Sequence, residues 1–254
     1  MQGRARRLAV AAAPPGGCAP AGQPHGTNRA VRTLLWAELG RLTHAAAVDL
    51  FEPARQAVRR GEADLLLFVE HDPIWTIGRN AARPVDDPGS VRTGRGGNIT
   101  WHGPGQLVAY PIVALGAGAT GRVRDFVAAV ETSLVEIART CRVEARLRQG
   151  EPGAWVQDEA GWRKLGSVGI SVRRGVTAHG FALNLDARAT RGFAGRAPCA
   201  IESAVATSLE DESGQSPPAF DLIAERLART LAGRLKREPR QMERDAILAQ
   251  IAQG

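Results

Sequence analysis

The chain has 254 residues, 44% of them apolar, a formal net charge of +7 and no internal repeat. That length gives one domain of ordinary size, or one domain plus a tail, and no apolar run approaches the ~20 residues that span a bilayer, so a soluble protein without a membrane partner is expected. The charge does not point to nucleic acid: residues 1–37 hold Arg4, Arg6, Arg7, Arg29 and Arg32 and no acid, which leaves 28 basic against 26 acidic residues elsewhere, whereas a phosphate-binding surface clusters its cations on the folded body.

Residues 1–30, with Pro14-Pro15, Gly16-Gly17 and many alanines, read as a disordered extension, leaving a single domain over 31–254. Leu8–Ala13 is too short an apolar core for a secretory signal, and prolines cut it off. Leu34–Glu38 predicts a strand, and Thr43 a helix cap for a helix through about Arg60, with Pro53 an irregularity in it. Leu65–Val69 predicts a short buried strand leading into Glu70–Arg79. The segment Arg95–Gln106 follows, setting Arg95, Asn98, Thr100, His102 and Gln106 among four glycines and a proline. Glycine lets backbone N–H groups approach a ligand closely, and the strand-like run Leu107–Val113 would anchor this loop to a sheet.

Val123, Phe126, Val127, Val130, Leu134 and Ile137 recur at the spacing of an amphipathic helix. From Val143 to Leu185 the pattern is mostly strand, broken by turn signals at Asp158–Gly161 and Arg173–Gly175. Ile223, Leu227, Leu231 and Leu235 mark a second packed helix. Arg226–Arg244 carries seven basic residues with Glu238 and Glu243 interleaved, read first as a solvated helix face and second as a dock for an acidic protein. Helices at both ends of an antiparallel-rich middle define an α+β domain, a mixed central sheet with flanking helices mainly on one face.

Cys18, Cys141 and Cys199 lie far apart and make neither a metal-ligand spacing nor a disulfide framework. Cys18 is in the extension, and Cys141 at the end of a helix reads as buried and inert. Cys199 alone sits in a loop among other polar candidates, and a reducing cytoplasm suits a free thiol there. Only two of the 33 basic residues are lysine, Lys164 and Lys236. Lysine at 164 is therefore informative, because an ammonium can give up its proton when desolvated and a guanidinium cannot.

Four segments in order resemble the lipoyl(octanoyl) transferase family, enzymes that move an octanoyl group from acyl carrier protein to lipoyl domains. They are the Arg95-Gly-Gly-x-x-Thr-x-His-Gly-Pro-Gly-Gln106 loop, Lys164-x-x-x-x-Gly169, Thr177-x-His-Gly-x-Ala-Leu-Asn184 and Pro198-Cys199. Glu70-His71-x-Pro73-x-x-Thr76-x-Gly78-Arg79 is also similar to the family. Two departures stand out: Ala200 follows the cysteine where the family usually has glycine, and His179 to Cys199 is about one residue longer.

The resemblance implies a biotin/lipoate protein ligase-like fold. It implies Cys199 as nucleophile, with Lys164 favouring its thiolate and later taking a proton from the acceptor amine. The acyl group would touch Arg95, Gly96, Gly97, Asn98, Ile99, Thr100, Trp101 and His102, then Ser167, Val168 and Gly169, then Gly180, Phe181 and Ala182, with His179 in a supporting role. Histidines in glycine-flanked turns also often just bond a neighbouring carbonyl, and for His102 and His179 both readings stand. The implied partners are octanoyl-acyl carrier protein as donor, and lipoyl domains of 2-oxoacid dehydrogenase E2 subunits and glycine cleavage H protein as acceptors. No metal, ATP or other cofactor is implied, because a thioester is already activated. Two alternatives are an ATP-dependent lipoate or biotin ligase of the same fold, which needs no cysteine, and a non-catalytic paralogue that binds acyl groups or lipoyl domains.

Overall fold

The longest apolar runs become strands whose side chains alternate between two faces of one sheet. In β1 (Thr33–Leu42), Leu34 and Trp36 join one buried cluster while Leu35 and Ala37 join another. In β2 (Asp64–His71), Leu66 and Phe68 part from Leu65, Leu67 and Val69 in the same way. Strands apolar on both faces need cover on both. This computed structural model describes residues 31–81, 89–116, 120–193 and 205–253. The expectations placed on residues 1–30, on Cys18 and on Pro198-Cys199-Ala200 lie outside the described residues.

The sheet continues through β6 (Gln106–Ile112), β7 (Arg146–Arg148), β8 (Glu151–Asp158), β9 (Gly161–Arg173), β10 (Val176–Asn184), β11 (Val205–Ala206) and β12 (Glu238–Gln241). Its order is β12-β1-β2-β6-β10-β9-β8-β7, with β11 beside β9. β1 is parallel to β2 and β12, and each pair from β2 across to β7 is antiparallel. A second sheet, β4-β3-β5, is built from β3 (Ile74–Ile77), β4 (Ser90–Arg92) and β5 (Ile99–His102). Both expected turns are present; Arg174 and Gly175 take φ of 51° and 77° between β9 and β10, the doubly left-handed two-residue hairpin loop.

Thr43 caps α1 (His44–Asp49), its Oγ1 accepting from the Ala46 N–H at 3.2 Å. The one helix expected through Arg60 is two, α1 and α2 (Phe51–Arg59), joined at Leu50. Pro53 has no N–H for the Asp49 carbonyl, and its ring crowds that oxygen, so the helix breaks there. On one face of the sheet, Phe126, Val130, Leu134 and Ile137 of α3 (Thr120–Thr140) meet Ile223, Leu227 and Leu231 of α6 (Phe220–Leu235). On the other, Phe51, Ala54 and Val58 of α2 pack with Ile247 and Ile251 of α7 (Arg244–Ala252) against Leu65, Leu67 and Val69. The expectation of helices mainly on one face is thus corrected: both faces are covered, as the doubly apolar strands require. Two short helices, α4 (Ala187–Gly192) and α5 (Leu209–Ser213), follow β10 and β11. Cys141, just past α3, is half-buried against the core.

Asp64 at the start of β2 is fully buried and ties three segments together. It accepts from Arg32 Nε at 2.8 Å, Arg237 Nε at 2.7 Å and the Ala114 N–H at 3.0 Å. Arg32, counted with the basic N-terminal excess, therefore belongs to the fold. Among the described residues no helix is long and apolar enough to cross a membrane.

Candidate active site

The glycine loop is fastened from behind by the upstream motif. Gly78, Arg79 and Asn80 donate backbone N–H groups to the carbonyls of Asn98, Arg95 and Gly97 at 2.9, 3.0 and 3.1 Å. A side chain at Gly78 would strike the Gly97 carbonyl, and one at Gly180 the Ala109 carbonyl; these close approaches require glycine. The Gly96 N–H donates to the Ile170 carbonyl of β9 at 2.9 Å, which joins the two motif segments. Glu70 accepts from the Gly105 N–H at 3.0 Å and so holds the turn into β6.

Between them the segments enclose a cavity with about 500 Å³ of empty space, counting the part open to solvent. Arg95, Gly97 and Asn98 of the loop and Thr100 and His102 of β5 line it. Ser167, Val168 and Gly169 of β9 and His179, Gly180 and Phe181 of β10 complete the wall named from the sequence. Gly96, Ile99, Trp101 and Ala182 are not in that wall. Successive strand residues face opposite ways, and Trp101 packs instead with Ala189 and with Phe193, ring centroids 5.9 Å apart. His44, Val108 and Tyr110 line the cavity and were missed, because they lie outside the motifs.

Arg95 is as much a strut as a wall. Its Nη2 donates to the Thr76 carbonyl at 2.6 Å, its Nε to Thr76 Oγ1 at 3.2 Å and its Nη1 to the Gly96 carbonyl at 3.0 Å. Thr100 Oγ1 is buried in the wall with no hydrogen-bond partner among the described residues, a costly state for a buried hydroxyl.

All four described histidines gather here. His71 stands behind the wall, its ring 5.7 Å from that of His44 and 6.1 Å from that of His102. Burial lowers the pKa of each, with neighbouring His71 and Arg95 adding to the effect at His44, which falls to about 4. His102 is held well below 6.5 by complete burial, and His179 at about 3 by burial and then by Arg55. His179 also takes a left-handed φ of 55° inside β10, a strained conformation of the kind that clusters at functional sites. Burial raises the Tyr110 hydroxyl. Near neutral pH uncharged imidazoles and a neutral phenol therefore line the cavity beside the Arg95 guanidinium.

Lys164 lies in β9 outside the cavity wall. It is 3% exposed, donates from Nζ to the Pro152 carbonyl at 3.1 Å, and holds Nζ 4.1 Å from the Trp155 ring centroid, a cation–π contact. Where β10 ends, β11 takes its place beside β9, and Ala206 pairs with Lys164. Among the described residues no three His, Cys, Asp or Glu side chains are grouped to hold a metal.

The chain has known counterparts in sequence and in fold. The family described as lipoyl protein ligase A/B catalytic domain matches residues 47–232. Octanoyltransferase of Mycolicibacterium gilvum is 38% identical over 78% of this chain and 85% of its own length. That of Mycolicibacterium smegmatis is 40% identical over 75% and 84%. In fold, the chain superposes on a bi-partite lipoate protein ligase from Thermoplasma acidophilum with a TM-score of 0.59 at 16% identity, over 88% of this chain and 91% of the other. Lipoate-protein ligase A bound with ATP gives 0.57 at 18% identity, over 88% and 93%. The chain belongs to the octanoyltransferase family and is an acyltransferase enzyme.

Proposed function

We propose that this enzyme transfers an octanoyl group from octanoyl-acyl carrier protein, through a Cys199 thioester, to a lipoyl-domain lysine. The acceptors would be lipoyl domains of 2-oxoacid dehydrogenase E2 subunits and glycine cleavage H protein. The supporting observation is the cavity itself: His44, His102 and His179 line it with proton affinities lowered by burial, and Lys164 is buried on β9, which forms part of its wall. Val108, Val168 and Phe181 in the wall suit an apolar acyl chain.

In the first half-reaction the Cys199 thiolate attacks the donor carbonyl. A new C–S bond forms, the donor C–S bond breaks, and Lys164 gives its proton to the departing carrier thiolate. In the second, Lys164, now neutral, takes a proton from the acceptor ammonium. The free amine attacks the acyl-cysteine, the C–N bond forms, the C–S bond breaks, and the second amine proton leaves to solvent with the thiolate restored. The test is transfer from octanoyl-acyl carrier protein to a lipoyl domain in a mixture without nucleotide. Turnover there is expected, whereas a requirement for ATP would assign the chain to ligase chemistry.

A further inference from the structure

Two hydrogen-bond chains end in the cavity wall, and backbone carbonyls, which only accept, fix their direction. In the first, Asn184 Nδ2 donates to the Thr207 carbonyl at 2.8 Å and reaches that of Lys164 at 3.5 Å. Asn184 Oδ1 must then accept, and takes Gln106 Nε2 at 2.8 Å; the same Nε2 also reaches the Trp101 carbonyl at 3.4 Å. Gln106 Oε1 is left facing His102 Nδ1 at 2.6 Å, so Nδ1 carries the ring proton. His102 is 9% exposed and lines the cavity, and its Nε2 is a lone pair with no hydrogen-bond partner among the described residues. In the second chain, His71 Nδ1 donates to the Leu42 carbonyl at 2.8 Å and His71 Nε2 accepts from the Tyr110 hydroxyl at 2.6 Å. Tyr110 spends its only hydroxyl proton there and also offers the cavity lone pairs alone.

An acceptor-only group serves neither a hydrocarbon chain, which has no donor, nor a thioester carbonyl, which itself accepts. Among the parts of an acyl-transfer complex, N–H groups fit it: an amide of the thiol arm that carries the acyl group, or the amine that receives it. We propose that His102 Nε2 accepts a hydrogen bond from such an N–H group, and that Gln106 and Asn184 are positioning residues that hold the ring in the tautomer this requires. The proposal deepens the octanoyl-transfer reading and rests on it. A free imidazole favours the proton on Nε2, so without the relay the ring would present a donor where an acceptor is needed. The proton affinity of His102, held far below that of free histidine by burial, suits an acceptor and not a proton store.

Long-range proton–nitrogen correlation spectra of the full chain labelled at histidine report which ring nitrogen is bare, with His102→Gln supplying the assignment. Wild type is expected to show Nδ1–H and a bare Nε2. Gln106→Leu should move His102 to the Nε2–H form, while Gln106→Glu, which keeps an oxygen facing Nδ1, should retain the wild-type form. Two rates accompany the spectra. Acyl-enzyme formation is followed with octanoyl-pantetheine and with the octanoyl thioester of mercaptoethanol, which has no amide; transfer is followed from acylated enzyme to a lipoyl domain.

Gln106→Leu should lose about tenfold or more, the worth of one hydrogen bond, in one place only. Loss confined to the pantetheine donor puts the N–H in the donor arm, and loss confined to transfer puts it on the acceptor amine. The proposal is overturned by a wild-type His102 protonated at Nε2, or by a tautomer change that leaves both rates within about twofold. Equal loss with both donors and normal transfer would place the role at the thiol and overturn it as well. Should Gln106→Leu fail to fold, the wild-type spectrum decides, since Nε2–H there is fatal. Absence of any acyl-enzyme in wild type would instead refute octanoyl transfer through a thioester, and leaves the tautomer result standing.

Discussion

Burial lowers the proton affinity of His44, His71, His102 and His179 alike, and unfolding returns each to its ordinary value near 6.5. The unfolded chain therefore binds more protons as pH falls through 6.5, and stability drains below it. Above 6.5 the contribution is complete; for His44 it is spent by about pH 4 and for His179 by about pH 3. Each imidazole contributes a slope of up to ~1.4 kcal/mol per pH unit in that window. Denaturant titrations between pH 7.5 and 4.5, roughly the window these shifts define, should show His44→Gln losing stability less steeply than wild type. An unchanged slope would mean that His44 is not held neutral by the fold. Lys164 carries the second residue-scale prediction. Lys164→Ala should raise the pH midpoint of Cys199 alkylation, while Lys164→Arg, which keeps the charge but cannot accept a proton, should still form acyl-enzyme and transfer poorly. Transfer by the arginine variant at the wild-type rate would show that lysine acts by charge alone. The rarity of lysine marked position 164 in the sequence; the Trp155 ring and Pro152 carbonyl that hold its ammonium come from a strand with no motif, and nothing in the sequence announced them.

Among the elements, the strands and the helices at 120–140 and 220–235 were legible because period-2 and period-3.6 patterns are strong there. The doubly apolar runs 34–37 and 65–69 also contained the signal for two covered faces. Within β5 the same alternation separates Thr100 and His102 from Ile99 and Trp101, so strand parity alone divides the motif into cavity wall and support. The break at Leu50 follows from Pro53 and Asp49 at i−4. β12 was not legible: Glu238–Gln241 has no apolar alternation, and it pairs with β1 through the backbone at the sheet edge. His44 reaches the cavity from an element far from the motifs, and Tyr110 from β6 just past the glycine loop, where no motif position marks it although it is the chain's only tyrosine. The join between elements at Asp64 gives a stability prediction. Asp64→Asn leaves Arg32 and Arg237 without their buried carboxylate and should cost about 2–4 kcal/mol by urea unfolding, at the lower end because both guanidinium groups keep some exposure, 26% and 21%. A loss below about 0.5 kcal/mol, typical of a surface pair, would show that the junction is held by packing alone.

For the molecule as a whole, the Arg32–Asp64 pair sharpens where the N-terminal extension can be cut. A chain beginning at Arg29 keeps Arg32 and is expected to match the melting temperature and activity of the full chain. One beginning at Thr33 should melt lower by several degrees, since 1 kcal/mol shifts a domain of this size by about 2–4 °C. A large loss already at Arg29 would make residues 1–28 part of the folded domain. The family and the lipoate-ligase fold were legible in four ordered motifs and the α+β class in the order of strands and helices, whereas the assembly of one cavity from α1, β5, β6, β9 and β10 depends on long-range pairing that no local pattern encodes. The proposed chemistry turns on Cys199. Intact-mass spectrometry of the full chain after mixing with octanoyl-acyl carrier protein should find one octanoyl group added to wild type, none on Cys199→Ser, and one on Cys141→Ser. Equal octanoyl labelling and full transfer by Cys199→Ser would contradict a cysteine thioester and with it the proposed route of acyl transfer.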